Sequence, residues 1–204
     1  MKNTSWFLLL VAAVVFAVSL DARADTIITF DSVPSVGNPI RTTPLTTDGF
    51  TFTSLHYHII DTPSVCLGGC VSDGTNYIAV DGPALGFPVV MTEAGGGTFS
   101  LISLDAAKEL LTIGGLPGFP NAITFDVSGS LSGGGTVSAS FTLPSEGSFG
   151  NFVLPATFTN LTSVTFSGTA PGTSDASWGA DNIRVAALYL SHRLFSFLQP
   201  AFWG

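Results

Sequence analysis

Charge is what this chain has least of. Six Lys and Arg and 14 Asp and Glu stand in 204 residues, and the formal net charge is −8. An acidic chain so poor in bases repels phosphate backbones, which argues against nucleic acid as a partner. It suits anionic lipid headgroups no better. Divalent cations and neutral polymers remain. Cysteine is scarce too, with two residues, so neither a multi-cysteine metal cluster nor a disulfide-dense scaffold can be built. No Gly-x-Ser-x-Gly elbow is present. Gly95–Gly97 and Gly133–Gly135 lack the Lys-Ser/Thr that completes a phosphate loop, and both read as hairpin turns. Scarce charge does not mean disorder. Disordered chains are rich in charge and poor in aromatics, whereas this one holds 17 Phe and is 46% apolar.

One long apolar run is present, Phe7 to Leu20, behind Lys2 and ahead of Ala22-Arg23-Ala24. A basic start, an uncharged apolar stretch and small residues two apart form the layout of a secretory signal peptide cleaved after Ala24. Residues 1–24 are therefore expected to be removed, and the remainder secreted or displayed on the cell surface. That remainder keeps Arg41, Lys108, Arg184 and Arg193 against 13 acids, a formal −9. Its length fits one domain, over residues 25–185.

Within that span the pattern alternates with period two. In Phe50-Thr-Phe-Thr53 the aromatics share one face and the hydroxyls the other. Thr26–Asp31, Leu55–Ile60, Asn76–Val80, Pro88–Thr92 and Thr98–Leu104 read as further strands. So do Asn121–Val127, Thr136–Leu143, Asn151–Leu154, Ser163–Ser167 and Ala180–Val185. Asp48-Gly49, Asp73-Gly74 and Pro171-Gly172 punctuate them as turns. About ten strands spaced by turns predict an all-β fold, an antiparallel two-sheet β-sandwich or jelly roll. The one good helix former, Asp105–Leu111, predicts a short helix capping one end. From Ala186 to Gly204 the texture turns to Leu, Phe and Trp. This tail makes a poor transmembrane helix, since Arg193 near its middle would cost about 3 kcal/mol. Weak membrane contact, docking on the domain and an unstructured tail are the open readings.

Four groups carry the candidate chemistry. Cys66-Leu-Gly-Gly-Cys70 is expected to close a disulfide outside the cytoplasm. Three intervening residues, where redox pairs usually have two, and no further ligands nearby weigh against redox or metal use. His56-Tyr57-His58 places two imidazoles on one strand face, where both could meet one ion with Asp61 close by; the plainer reading is a polar face with Tyr57 packed inward. Tyr77 and Trp178 sit beside turns and could stack on sugar rings, although large aromatics are mostly buried. The aspartates are scattered from Asp31 to Asp181, and no spacing singles out the pair a glycosidase needs.

Several stretches together resemble a group of bacterial exported proteins whose members carry a PEP-CTERM sorting tail. They are Ile28–Asp31, Asp48–Phe52, Asp73–Asn76, Gly97–Ala107, Phe152–Phe158 with Asn160–Gly168, and Ala180–Val185. The resemblance implies a β-sandwich exported by bacteria that make exopolysaccharide, with no assigned reaction. The chain departs from the group after Val185, where Pro-Glu-Pro, an apolar helix and a basic end do not follow. Asp181-Asn182-Ile183 is also similar to the last strand of galactose-binding-like jelly rolls. That similarity implies a structural calcium ion held by acids near the first and last strands, which here are Asp31 and Asp181. The expected function is a non-catalytic protein associated with extracellular polysaccharide or the cell envelope. A secreted glycan hydrolase or lyase and a structural matrix or adhesion protein are the alternatives.

Overall fold

A computed structural model describes residues 24–35, 40–60, 70–80, 87–109, 121–145, 147–172 and 176–187. The expected signal peptide, save Ala24, and the tail from 188 onward lie outside the described residues. Residues 25–187 pack as one unit. Its described residues form strands and no helix: β1 (Ala24–Ile28), β2 (Leu45–Thr47), β3 (Phe50–Thr53), β4 (His58–Ile60), β5 (Tyr77–Val80), β6 (Val89–Glu93), β7 (Phe99–Lys108), β8 (Thr124–Leu131), β9 (Thr136–Thr142), β10 (Gly150–Val153), β11 (Leu161–Thr169) and β12 (Trp178–Ala187).

Hydrogen bonding links the strands into one curled sheet with two leaves. One leaf runs β9-β8-β11-β6-β3-β2. The other runs β10-β7-β12-β5-β4, with β1 also on β12. Leu161 of β11 pairs with Phe99 of β7 where the leaves join. Every pairing with a described register is antiparallel. The all-β sandwich expected from the alternation is what the chain forms.

Aromatic contacts between the leaves show why they close. Phe125 of β8 meets Trp178 of β12 edge-on with centroids 5.0 Å apart, and Phe50 of β3 meets Phe99 of β7 at 5.2 Å. Phe166 adds a tilted contact to the same Trp178. These rings, with Phe30, Phe52, Met91 and Val164, form one buried cluster. Burying each aromatic is worth about 2–3 kcal/mol relative to exposure. Gly168 of β11 makes the approach possible, because a Cβ there would stand 2.5 Å from the Trp178 ring and 2.8 Å from the Ala176 carbonyl oxygen.

Turn chemistry sets the local registers. Asp48 (φ 49°) and Gly49 (φ 80°) both take positive φ between the paired Thr47 and Phe50. Two such residues make the two-residue hairpin turn that matches strand twist. The β8–β9 hairpin turns at Gly133–Gly135, as expected, with Leu131 N–H donating to Gly135 O at 3.1 Å.

The predicted helix is overturned. Asp105–Lys108 continues β7, and residues 110–111 lie outside the described residues. Helix propensity is a weak local preference. Here it yields to ladders on both sides, since Asp105 and Ala106 pair with β10 and with β12 at once. Two strand irregularities then place polar groups. Opposite β7, β12 carries an extra residue between Asp181 and Arg184, with Asn182 at φ 48°. The extra residue switches the core-facing set from Trp178 and Ala180 to Ile183 and Val185. On β7, Ile102 is left unopposed between Ser103 and Leu101, which is where the alternation Phe99, Leu101, Leu104 breaks.

Candidate functional site

The β8, β9 and β11 strands turn Phe125, Val127 and Phe166 into the core. Period two therefore sends Asp126, Ser128, Ser138, Ser140, Thr165 and Ser167 to the outer face. The register aligns them across strands: Asp126 lies between Ser140 and Ser167, and Ser128 between Ser138 and Thr165. These side chains line a groove of about 350 Å³, floored by Val127 and Ala139. Asp126 is its one carboxylate. The Ser140 hydroxyl donates to Asp126 Oδ1 at 2.6 Å, and the Thr169 hydroxyl donates to Oδ2 at 3.3 Å. Both oxygens are thus engaged, and the two hydroxyls are oriented with their oxygens left to accept.

A second polar cluster forms where the β12 irregularity meets the loop before β5. Asp181 is fully buried. Its Oδ2 accepts from the Thr75 hydroxyl at 2.9 Å, while its Oδ1 has no hydrogen-bond partner. Thr75 N–H donates to Asp73 Oδ1 at 3.0 Å, and the same hydroxyl lies against that oxygen too. One hydroxyl proton serves one carboxylate at a time. Asn76 N–H donates to Asp31 Oδ1 at 2.9 Å, and the Asn76 amide caps the Phe30 and Val33 carbonyls at 3.2 Å each. Three acids so gathered make ionising Asp181 costly. Burial, opposed by bonds from Asn182 and Thr75 and reinforced by Asp73 and Asp31, pushes its carboxyl from 3.8 up to about 7.

The structure therefore brings Asp31 and Asp181 into one neighbourhood and adds Asp73, Thr75 and Asn76, which spacing alone did not single out. Asp73–Asn76 stood in the sequence as a turn motif and Asp181 as a candidate acid; their pairing across 106 residues did not. The donors are all oxygen, which suits a hard cation such as calcium. Among the described residues no three His, Cys, Asp or Glu side chains group tightly enough to hold an ion. Carboxylates alone would not complete a shell of six to eight oxygens.

Of the two readings of Tyr77 and Trp178, sugar stacking and burial, the side chains take the buried one. Trp178 is 1% exposed and packs between Phe125 and Phe166. Tyr77 is 1% exposed against Phe149, and burial, with Glu109 beside its hydroxyl, drives its phenol well above the ordinary range. Both flank turns, but both point into packed clusters, and neither offers a ring face to solvent. The exposed large apolar side chains among the described residues are Ile27, Ile40, Leu55, Ile123 and Val153, none of them aromatic. Cys70 packs against Ile60, Tyr77 and Ala79 and carries no free thiol. Its expected partner Cys66 lies outside the described residues.

No known family pattern matches this chain, and no curated protein sequence matches it. Among solved structures it is similar to a family 29 carbohydrate-binding module, at 12% identity over 81% of this chain and 88% of that one, with a TM-score of 0.43. A DUF4465 family protein from Bacteroides ovatus aligns at 7% identity over 81% and 99%, with a TM-score of 0.44. A family 61 carbohydrate-binding module in complex with β-1,4-galactotriose aligns at 10% identity over 69% and 89%, with a TM-score of 0.39. At such scores none of these likenesses decides the function.

Proposed function

We propose that this chain is an exported, non-catalytic binding protein of the cell envelope or its surrounding matrix, whose groove on the β9-β8-β11 face takes a neutral polysaccharide. The observation that carries this reading is the groove itself: a hydroxyl-lined hollow with a single, fully engaged carboxylate. Serine and threonine both donate and accept, as sugar hydroxyls do. Asp126 fixes Ser140 as an acceptor before any ligand arrives, which lowers the ordering cost of binding. No aromatic stands among the exposed large apolar side chains of the described residues, so each sugar contact in the groove is weak, and retention comes from repetition along a polymer. The net negative charge favours neutral over anionic glycans.

Hydrolysis is the weaker reading. The usual glycosidase sets two carboxylates across the bond, and the groove is lined by one. The matrix or adhesion reading draws on β9, which among the described residues pairs only with β8 and contains neither Lys nor Pro to blunt its open edge. Light scattering that grows with concentration in the absence of glycan would favour it.

A structural calcium ion at Asp31 and Asp181 belongs to the same proposal. When bound it supplies positive charge to Asp181 Oδ1 and relieves the crowding of the three acids. Asp31 and Asp181 would hold it, with Asp73 and backbone oxygens as further candidates.

The test is retention of the full chain on a panel of insoluble neutral polysaccharides. Retention by at least one, weakened several-fold in Asp126→Ala with an unchanged melting temperature, is the expected result. Failure to bind any of them removes the reading.

A further inference from the structure

His56 and His58 lie outside both polar sites. Tyr57 between them is buried in the main core, its hydroxyl donating to Thr43 O at 2.7 Å, and its backbone pairs with Arg41 in both directions at 2.8 and 3.1 Å. With Tyr57 fixed on one side, extended geometry turns both neighbouring imidazoles to the other. They meet there. The two Nε2 atoms are 3.2 Å apart, the ring centroids 5.1 Å, and the ring planes cross at 62°. Both residues are buried, at 4% and 3% exposure. Neither ring is without other interactions.

Two imidazole nitrogens bound to one zinc at 2.0–2.1 Å and a tetrahedral angle stand roughly 3.3 Å apart. The pair already has nearly that separation. Without metal the same distance is a hydrogen bond, in which one ring carries its proton on Nε2 and the other on Nδ1. With metal both rings carry it on Nδ1, and both Nε2 lone pairs point at the ion. Imidazole nitrogen suits borderline ions of the zinc, cobalt and nickel type, whereas the oxygen cluster at Asp181 suits calcium. A chain of net charge −8 favours either cation.

We propose that His56 and His58 form a two-nitrogen clip for a divalent transition metal, separate in place and in chemistry from the oxygen cluster at Asp181.

The experiment is calorimetric titration of the full chain with zinc in excess calcium, which occupies the oxygen sites. One zinc per chain is expected. His56→Gln and His58→Gln should each weaken binding by at least the roughly tenfold that loss of even a supporting partner costs a metal site, while His192→Gln leaves it unchanged. Buried histidines can be needed for folding, so the wild-type protein supplies a second readout. In imidazole 15N spectra, zinc should shift the Nε2 signals of His56 and His58 together while Nδ1 stays protonated. Absence of zinc binding to the folded wild type, binding that survives both substitutions, or spectra in which either Nε2 stays unmoved would overturn the proposal.

Discussion

Asp126 and Asp181 are the same residue type on two strands of one sandwich, in opposite circumstances. Asp126 lies on an open face, and two hydroxyls meet its two oxygens. Asp181 is sealed beneath the Asp73–Asn76 loop with one oxygen met and one not. A satisfied carboxylate at a surface costs the fold little and is ready to orient a ligand. A sealed and half-satisfied one penalises the fold unless a proton or a cation joins it. The proposed function assigns recognition to the first region and a structural cation to the second.

Gly168→Ala should break both regions at once. Its Cβ would collide with Trp178, Ala122 and the Ala176 carbonyl, and overpacking of this kind costs roughly 3 kcal/mol. Denaturant unfolding would register the loss, and an unchanged midpoint would mean the leaves are not packed as described.

Acid and chelator should then separate the regions. The folded Asp181 carboxyl, raised to about 7, binds a proton that the unfolded chain, near 3.8, has released. Between those values the native state holds more protons, so stability of the chelated protein falls as pH rises from about 4 to about 7. The neighbouring acids are exposed, and water softens the effect to on the order of 2 kcal/mol. Melting curves in chelator should show this slope. Calcium should flatten it, and Asp181→Asn should remove both the slope and the response to calcium. A flat profile in chelator, or a melting temperature indifferent to calcium, would discard the cluster as a cation site.

Reduction should act on the same side only. The expected Cys66–Cys70 ring would be short and would contribute roughly 2 kcal/mol or less. Cys70 stands just ahead of the Asp73–Asn76 loop, so reductant should blunt the calcium response and leave polysaccharide retention intact. Two cysteines alkylated freely in the untreated protein would contradict the bridge. Asp126→Ala should be the mildest change, within about 0.5 kcal/mol in stability, with its whole effect in glycan retention. A large loss of stability would mean that Asp126 holds the sheet together rather than serving the groove.

The strands were legible because their periodicity is local. Phe50-Thr-Phe-Thr53 states which residues face inward, and Asp48-Gly49 states where the chain reverses. The Asp105–Leu111 reading failed for the converse reason. Those residues favour a helix by themselves, and only pairing with β10 and β12 holds Asp105–Lys108 extended. Tyr77 and Trp178 allowed two readings because proximity to a turn says nothing about side-chain direction, and the general tendency of large aromatics to be buried decided them. Asp126 was one aspartate among many until its neighbours on β9 and β11 were known.

The sequence by itself determined an all-β chain with an aromatic interior and a hydroxyl-rich, acidic exterior, because alternation and turn residues act within a few positions. Only the tertiary structure decided which hydroxyls gather around Asp126 and which oxygen of Asp181 is left unmet. It also buried the His56 and His58 rings that the sequence had already placed on one strand face. Those relations depend on register between distant strands, on single extra residues that shift a strand's phase, and on burial, none of which a short stretch of chain encodes.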